Sequence, residues 1–205
     1  MKVLNSMWLL MGFGLFIYPS SSYGQRAEAP VYKDGDSWRI RHEVNRVGFD
    51  VSGTCAQAYP EYLIRKDGGK ANVFGVKTDG QVAIECPHIL TLVLGEEGDL
   101  KFPLYSGLSW SDRRSRRVPG LQPTWVNYQY EVNSWEKIKT PKGEFDAFKI
   151  VKSFQISPPL RKGVQPHWQV HTYYYAPSVK AIVQYRAEDE DIKETAMLVD
   201  FSLAQ

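Results

Sequence analysis

Apolar and polar positions alternate along most of this chain. In Ser37-Trp38-Arg39-Ile40-Arg41-His42-Glu43-Val44 the period is two, as in a half-buried strand. Trp125, Asn127, Gln129 and Glu131 fall on one side of a second strand, and Val126, Tyr128, Tyr130 and Val132 on the other. Phe145–Ile150 is apolar on both sides at one end, so that strand is expected to be covered on both faces. Val170–Tyr175 and Val179–Tyr185 flank Ala176-Pro177-Ser178, and a last strand runs from Thr195 to Leu203. Asp34-Gly35, Asp67-Gly68-Gly69, Asp79-Gly80, Gly98-Asp99 and Lys142-Gly143 supply the turns between runs. Asp79-Gly80 predicts a tight hairpin joining Asn72–Thr78 to Gln81–Cys86. No long segment keeps a 3.6 period, and only Tyr59–Arg65 suggests a short helical turn. The pattern predicts an all-β fold, mainly antiparallel: a strongly bent sheet or half-barrel with few short helical turns.

Two stretches interrupt the alternation. Ser111–Pro123 reads as a basic loop around Asp112-Arg113-Arg114-Ser115-Arg116-Arg117, and Ser157–Pro166, with Pro158-Pro159, as an irregular connection. Gly35-Asp36-Ser37-Trp38 is echoed by Gly107-Leu108-Ser109-Trp110, a repeat of Gly-x-Ser-Trp too short to prove an internal duplication.

The N-terminus changes the picture of where the domain works. Met1–Gly24 has Lys2 as its one charge, an apolar run from Met7 to Tyr18, then Pro19 and small residues at Ser22 and Gly24. That order predicts a signal peptide, and the apolar run is shorter than the ~20 residues a spanning helix needs. Residues 25–34 then form a linker and residues 35–205 a single β-rich domain. Export is expected, to the periplasm first and the extracellular space second. Cys55 and Cys86 are the chain's 2 cysteines, and an even count in an exported protein predicts a disulfide between them. A net charge of +2 gives no global drive toward nucleic acid, so no nucleic-acid partner is expected.

Three stretches carry a resemblance. They are Lys101-Phe102-Pro103-Leu104-Tyr105-Ser106-Gly107-Leu108-Ser109-Trp110, Thr140-Pro141-Lys142-Gly143-Glu144-Phe145-Asp146-Ala147-Phe148-Lys149-Ile150, and Thr172-Tyr173-Tyr174-Tyr175-Ala176-Pro177-Ser178-Val179-Lys180. Over residues 100–185 they resemble exported bacterial β-proteins of a domain-of-unknown-function family, of half-barrel periplasmic type. The resemblance implies that architecture, and it implies no established activity and no catalytic residues. Gly143 for the turn, Phe145 and Phe148 for core area and Pro141 as a strand stop give these blocks a structural role.

Candidate chemistry is sparse. His167 and His171 share one strand face and, with His88 or His42, would give a metal set, but no close carboxylate or cysteine completes one, so no metal or other cofactor is expected. No Gly-x-Ser-x-Gly elbow or phosphate-cradling loop occurs, and Glu188-Asp189-Glu190-Asp191 lacks calcium-loop spacing. Arg113, Arg114, Arg116 and Arg117 are guanidinium forks suited to anionic lipid, lipopolysaccharide or acidic glycan. Trp125, Tyr128 and Tyr130 stand for an aromatic surface that either lines a groove or fills a core. These residues predict a non-enzymatic binding or carrier module of the cell envelope, for lipid or glycan. The alternative is a structural or assembly factor that meets an envelope protein through a sheet edge. Nothing in the sequence sets the oligomeric state.

Overall fold

The computed structural model describes residues 24–46, 59–80, 82–85, 87–95, 98–116, 124–156, 167–188 and 192–205. The signal segment before Gly24, Cys55, Cys86, Arg117, the Pro158-Pro159 connection and the acidic run after Glu188 lie outside the described residues.

Ten strands form one antiparallel sheet built from two meanders. The first contains β2 (Ser37–Arg46), β3 (Glu61–Asp67), β4 (Lys70–Val76) and β5 (Val82–Glu85). The second contains β7 (Ser109–Arg116), β8 (Thr124–Thr140), β9 (Gly143–Ile156), β10 (His167–Ala176), β11 (Ala181–Glu188) and β12 (Ile192–Ser202). β12 pairs with β2, giving the order β5-β4-β3-β2-β12-β11-β10-β9-β8-β7, with β5 and β7 as open ends. The sheet curls: β8 approaches β11 and β12, which are not its partners in the ladder. Phe145 of β9 reaches Phe201 of β12 across this curl, ring centroids 6.0 Å apart. The all-β, bent, antiparallel expectation therefore stands, and the sheet does not close.

The inner face of the curl is the core. Trp38, Ile40, Tyr62, Ile64, Phe148, Ile150 and Tyr175 are fully enclosed there. Each contributes roughly 1.5–3 kcal/mol by leaving water. Their cover is a strap that includes a small two-stranded sheet. A 3-10 turn (Pro87–Leu90) and one short helix, α1 (Thr91–Leu94), press Ile89 and Val93 inward. Further along the strap, β6 (Leu104–Tyr105) pairs with β1 (Arg26–Ala27) and buries Leu104. The aromatic face is thus filled by the chain itself.

The Gly-x-Ser-Trp echo has a structural counterpart. Gly35 (φ +90°) donates its N–H to the Lys66 carbonyl at 2.8 Å, and Lys66 donates back to Asp36 at 2.9 Å. Gly107 (φ +88°) donates to Val132 at 2.7 Å, and Val132 donates back to Leu108 at 2.8 Å. Both are glycine bulges of the same type, which need a left-handed backbone that residues with a Cβ resist. The tryptophan that follows each bulge points inward and donates its indole N–H to a carbonyl: Trp38 to Val179 at 2.7 Å, Trp110 to Gly98 at 2.9 Å.

Two expectations fail. Tyr59–Arg65 is not a helical turn: Glu61–Asp67 is strand β3, with Tyr62 and Ile64 inward, and the apolar Leu63 on the other face hid the period of two. Ser111–Arg116 is not a loop: it continues β7, with Asp112 and Arg114 inward and Ser111, Arg113 and Ser115 outward. Charged inward positions read as loop because the buried acceptor that Arg114 shares, Asp99, comes from elsewhere in the chain.

Candidate functional site

The open end of the sheet, from β7 to β10, concentrates the unusual chemistry. On its inner side Asp99, 2% exposed, hangs from the strap and accepts three hydrogen bonds. They come from Arg114 Nη2 (2.9 Å), Tyr130 Oη (2.7 Å) and Lys152 Nζ (3.1 Å). Arg114 Nε donates a further bond to Asp112 at 2.6 Å. Lys152 is enclosed by rings, with Tyr128 4.7 Å, Tyr130 5.6 Å and Tyr173 6.0 Å from its ammonium. Burial works against the Arg114 charge, but Asp112 and Asp99 outweigh it and raise the guanidinium pKa. Burial, and then the Asp99 carboxylate, push the Tyr130 hydroxyl well above its ordinary value. The Arg114 hydrogen bond holds Asp112 below the usual carboxylate range. Two cations meet two anions, so the cluster is neutral and clamps the strap to the sheet.

Gly98 makes the clamp possible. A Cβ there would lie 2.8 Å from Asp112 Oδ2 and 2.9 Å from Arg114 Nη2, and its φ is +86°. Beside it a cleft of about 650 Å³ is lined by Leu100 and Lys101 of the strap and by Trp110, Ser111, Asp112 and Arg114 of β7. Consecutive residues of one strand point to opposite faces. The residues that line the cleft belong to the strap and to β7 alone, so it borders the open edge of the sheet.

The outer face carries a second hollow, of about 420 Å³, over β7, β8 and β9. Ser109, Ser111, Gln129, Glu131 and Ser153 line it with hydroxyl, amide and carboxylate groups. The ladder sets Ser111 opposite Gln129, Gln129 opposite Ser153, and Ser153 opposite Val170. Further along the same face stand two exposed indoles, Trp168 (58%) and Trp125 (62%). Arg113 lies over the Trp125 ring, 5.0 Å from its centroid.

A separate inner chain of contacts runs His42–Glu194–Tyr185–His171. His42 Nε2 lies 2.8 Å from Glu194 Oε1, and Tyr185 Oη 3.4 Å from Glu194 Oε2 and 3.1 Å from His171 Nδ1. The His42 side chain is wholly buried. His42 Nδ1 has no hydrogen-bond partner among the described residues. An Nε2–H donor to Glu194 leaves that atom as an acceptor lone pair.

The structure divides the sequence-predicted site. Arg113 is exposed on the outer face, whereas Arg114 is half-buried in the inner clamp. Arg116 ends β7, and Arg117 lies outside the described residues. Trp125 faces outward, while Tyr128 and the 2%-exposed Tyr130 face inward, so these three do not share a surface. The proposed Cys55–Cys86 bond falls outside the described residues. Sequence reasoning missed Asp99 and Lys152. Asp99 looked like half of a turn dipeptide, and Lys152 breaks the apolar phase of β9 at an inward position, which was the available signal. It also missed the hollow's polar side chains, which are ordinary outward residues of their strands.

An open, curled antiparallel sheet with a strap across its inner face defines the class. No family model matches the chain, and no curated protein matches it. Among solved structures it is similar to a putative lipoprotein of Parabacteroides distasonis, at 11% identity and TM-score 0.42, covering 86% of this chain and 99% of that one. It is also similar to a putative exported protein with a YmcC-like fold from Bacteroides fragilis, at 12% identity and TM-score 0.39, with the same coverages of 86% and 99%. The likeness is one of outline, and no residue role transfers from it.

Proposed function

We propose that this protein is an exported, non-enzymatic binding module of the cell envelope whose ligand is an oligosaccharide. The observation that carries the reading is the outer hollow with its neighbouring indoles. Three hydroxyls, one amide and one carboxylate face solvent there in fixed register. Such groups exchange water for sugar hydroxyls, and the negative face of an indole attracts the C–H edge of a pyranose ring. An acyl chain is the poorer fit, because the inner aromatic face is packed and the outer hollow sets Ser109, Ser111, Gln129, Glu131 and Ser153 beside its apolar lining. Export rests on the charge, apolar and small-residue order of Met1–Gly24.

The test is titration of fluorescent oligosaccharides, neutral and uronate-bearing, against the purified protein. Gln129→Ala should weaken binding roughly threefold to tenfold, the worth of one hydrogen bond. Trp168→Ala should weaken it at least as much, with the circular dichroism spectrum unchanged. The reading fails if no oligosaccharide binds, or if both variants bind like wild type. Attachment to anionic vesicles that survives both substitutions would point to lipid at the Arg113 rim instead.

A further inference from the structure

We propose that the open edge of β7 receives an extended, acidic segment of another protein, which adds to the sheet as an extra antiparallel strand. The first support is the phase of the ladder. Val132 exchanges hydrogen bonds with the Gly107–Leu108 bulge, which fixes which β7 residues face β8. Hydrogen-bonded positions recur every second residue in an antiparallel pair, and β7 runs to Arg116 without a register shift. Trp110, Asp112 and Arg114 therefore bond to β8. Ser109, Ser111, Arg113 and Ser115 turn their N–H and C=O groups away from it, to a side where no described strand lies. Of these N–H groups, that of Arg113 already donates to Asp112 Oδ1 at 2.8 Å, which leaves Ser109, Ser111 and Ser115 as the donors for an added strand.

The second support is space. The cleft of about 650 Å³ follows this edge, bounded by Leu100 and Lys101 of the strap and by Trp110, whose indole is pinned to Gly98. A side chain of an added strand has a preformed pocket beside the ladder, which is the usual source of specificity in strand addition.

The third support is charge. Arg114 of β7 is balanced within the clamp by Asp112 and Asp99, and Arg113 and Arg116 of the same strand are additional to it. Lys101 stands exposed across the cleft. Pairing with a second copy of the same strand would bring arginines together, where like charges across a ladder repel. An acidic strand meets opposite charge instead. The site uses backbone groups, not the side chains of the oligosaccharide hollow, so each proposal can fail alone.

The probe is a fluorescent decapeptide alternating Glu and Val, with a Lys and Val decapeptide as control. The acidic peptide should bind and the basic one should not. Ser115→Pro removes one outward N–H at a position outside the hollow, and it should weaken binding at least tenfold while Ser115→Ala does not. Amide hydrogen exchange on the wild-type protein reads the same edge without a substitution. Ser109, Ser111 and Ser115 should exchange fast alone and slow down with the peptide, while Trp110, Asp112 and Arg114 are slow throughout. The proposal is overturned if the acidic peptide does not bind, if both peptides bind alike, if the three outward serine amides stay unprotected, or if they are already protected by self-association of the protein.

Discussion

Replacing Asp99 with alanine removes the acceptor shared by Arg114, Tyr130 and Lys152. Lys152 bears the cost, because its side chain is only 7% exposed and it pairs with Asp99 at 3.1 Å. Breaking one side of a buried pair typically costs about 3–5 kcal/mol. The rings of Tyr128, Tyr130 and Tyr173 still face the ammonium and recover part of that, since a desolvated cation over a ring gains up to ~2 kcal/mol. The expected loss is therefore near the lower bound, about 3 kcal/mol, or a melting point lower by roughly 6–12 °C for a chain of this size. Lys152→Met keeps the shape and removes the charge. Asp99 then retains Arg114 at 2.9 Å and Tyr130 at 2.7 Å, so the loss should be about 1 kcal/mol. Urea unfolding of wild type, both single variants and the double variant measures the coupling, expected at about 1–3 kcal/mol. If Asp99→Ala costs less than about 1 kcal/mol, or Lys152→Met costs as much as Asp99→Ala, the clamp does not hold the strap as argued.

Gly98→Ala should destabilise by about 1–3 kcal/mol, through its left-handed backbone and the clash with Asp112 and Arg114, and a urea midpoint equal to wild type would contradict this. Asp36 governs acid sensitivity. Burial alone would raise its pKa, but the Lys33 and Ala204 N–H groups and the Lys180 ammonium outweigh burial and lower it. Its contribution is complete above the unfolded carboxylate value of roughly 4 and is lost as pH falls through the depressed folded value. Asp36→Asn should therefore flatten the fall in melting point on acidification below about pH 4, and an unchanged slope would show that the buried carboxylate is not responsible.

The fold was legible because strand alternation is a local signal. Trp38 against Arg39, and Tyr130 against Gln129, already place one residue inward and one outward. The site was less legible for two physical reasons. A charge run reads as a solvated loop when its counter-ions are distant in sequence, and Asp99 lies fifteen residues from Arg114 and fifty-three from Lys152. Surface hollows arise from register, and register between β7, β8 and β9 is set by bulges and turns whose offsets alternation alone does not specify. The choice between groove and core for the aromatic face depended on the strap, whose residues 87–108 carry almost no periodic signal.

The paired glycine bulges make the two meanders comparable strand by strand. Gly35 and Trp38 introduce β2 as Gly107 and Trp110 introduce β7, and β3 stands to β2 as β8 stands to β7. On its far side β2 is flanked by β12, which runs antiparallel and sets Asp200 against Arg39 and Phe201 against Trp38. The molecule thus contains its own template for a neighbour of β7. Read from that template, an incoming strand would run antiparallel, place an apolar residue against Trp110 and carry an acidic one against the position of Ser111, with the adjoining arginine within reach.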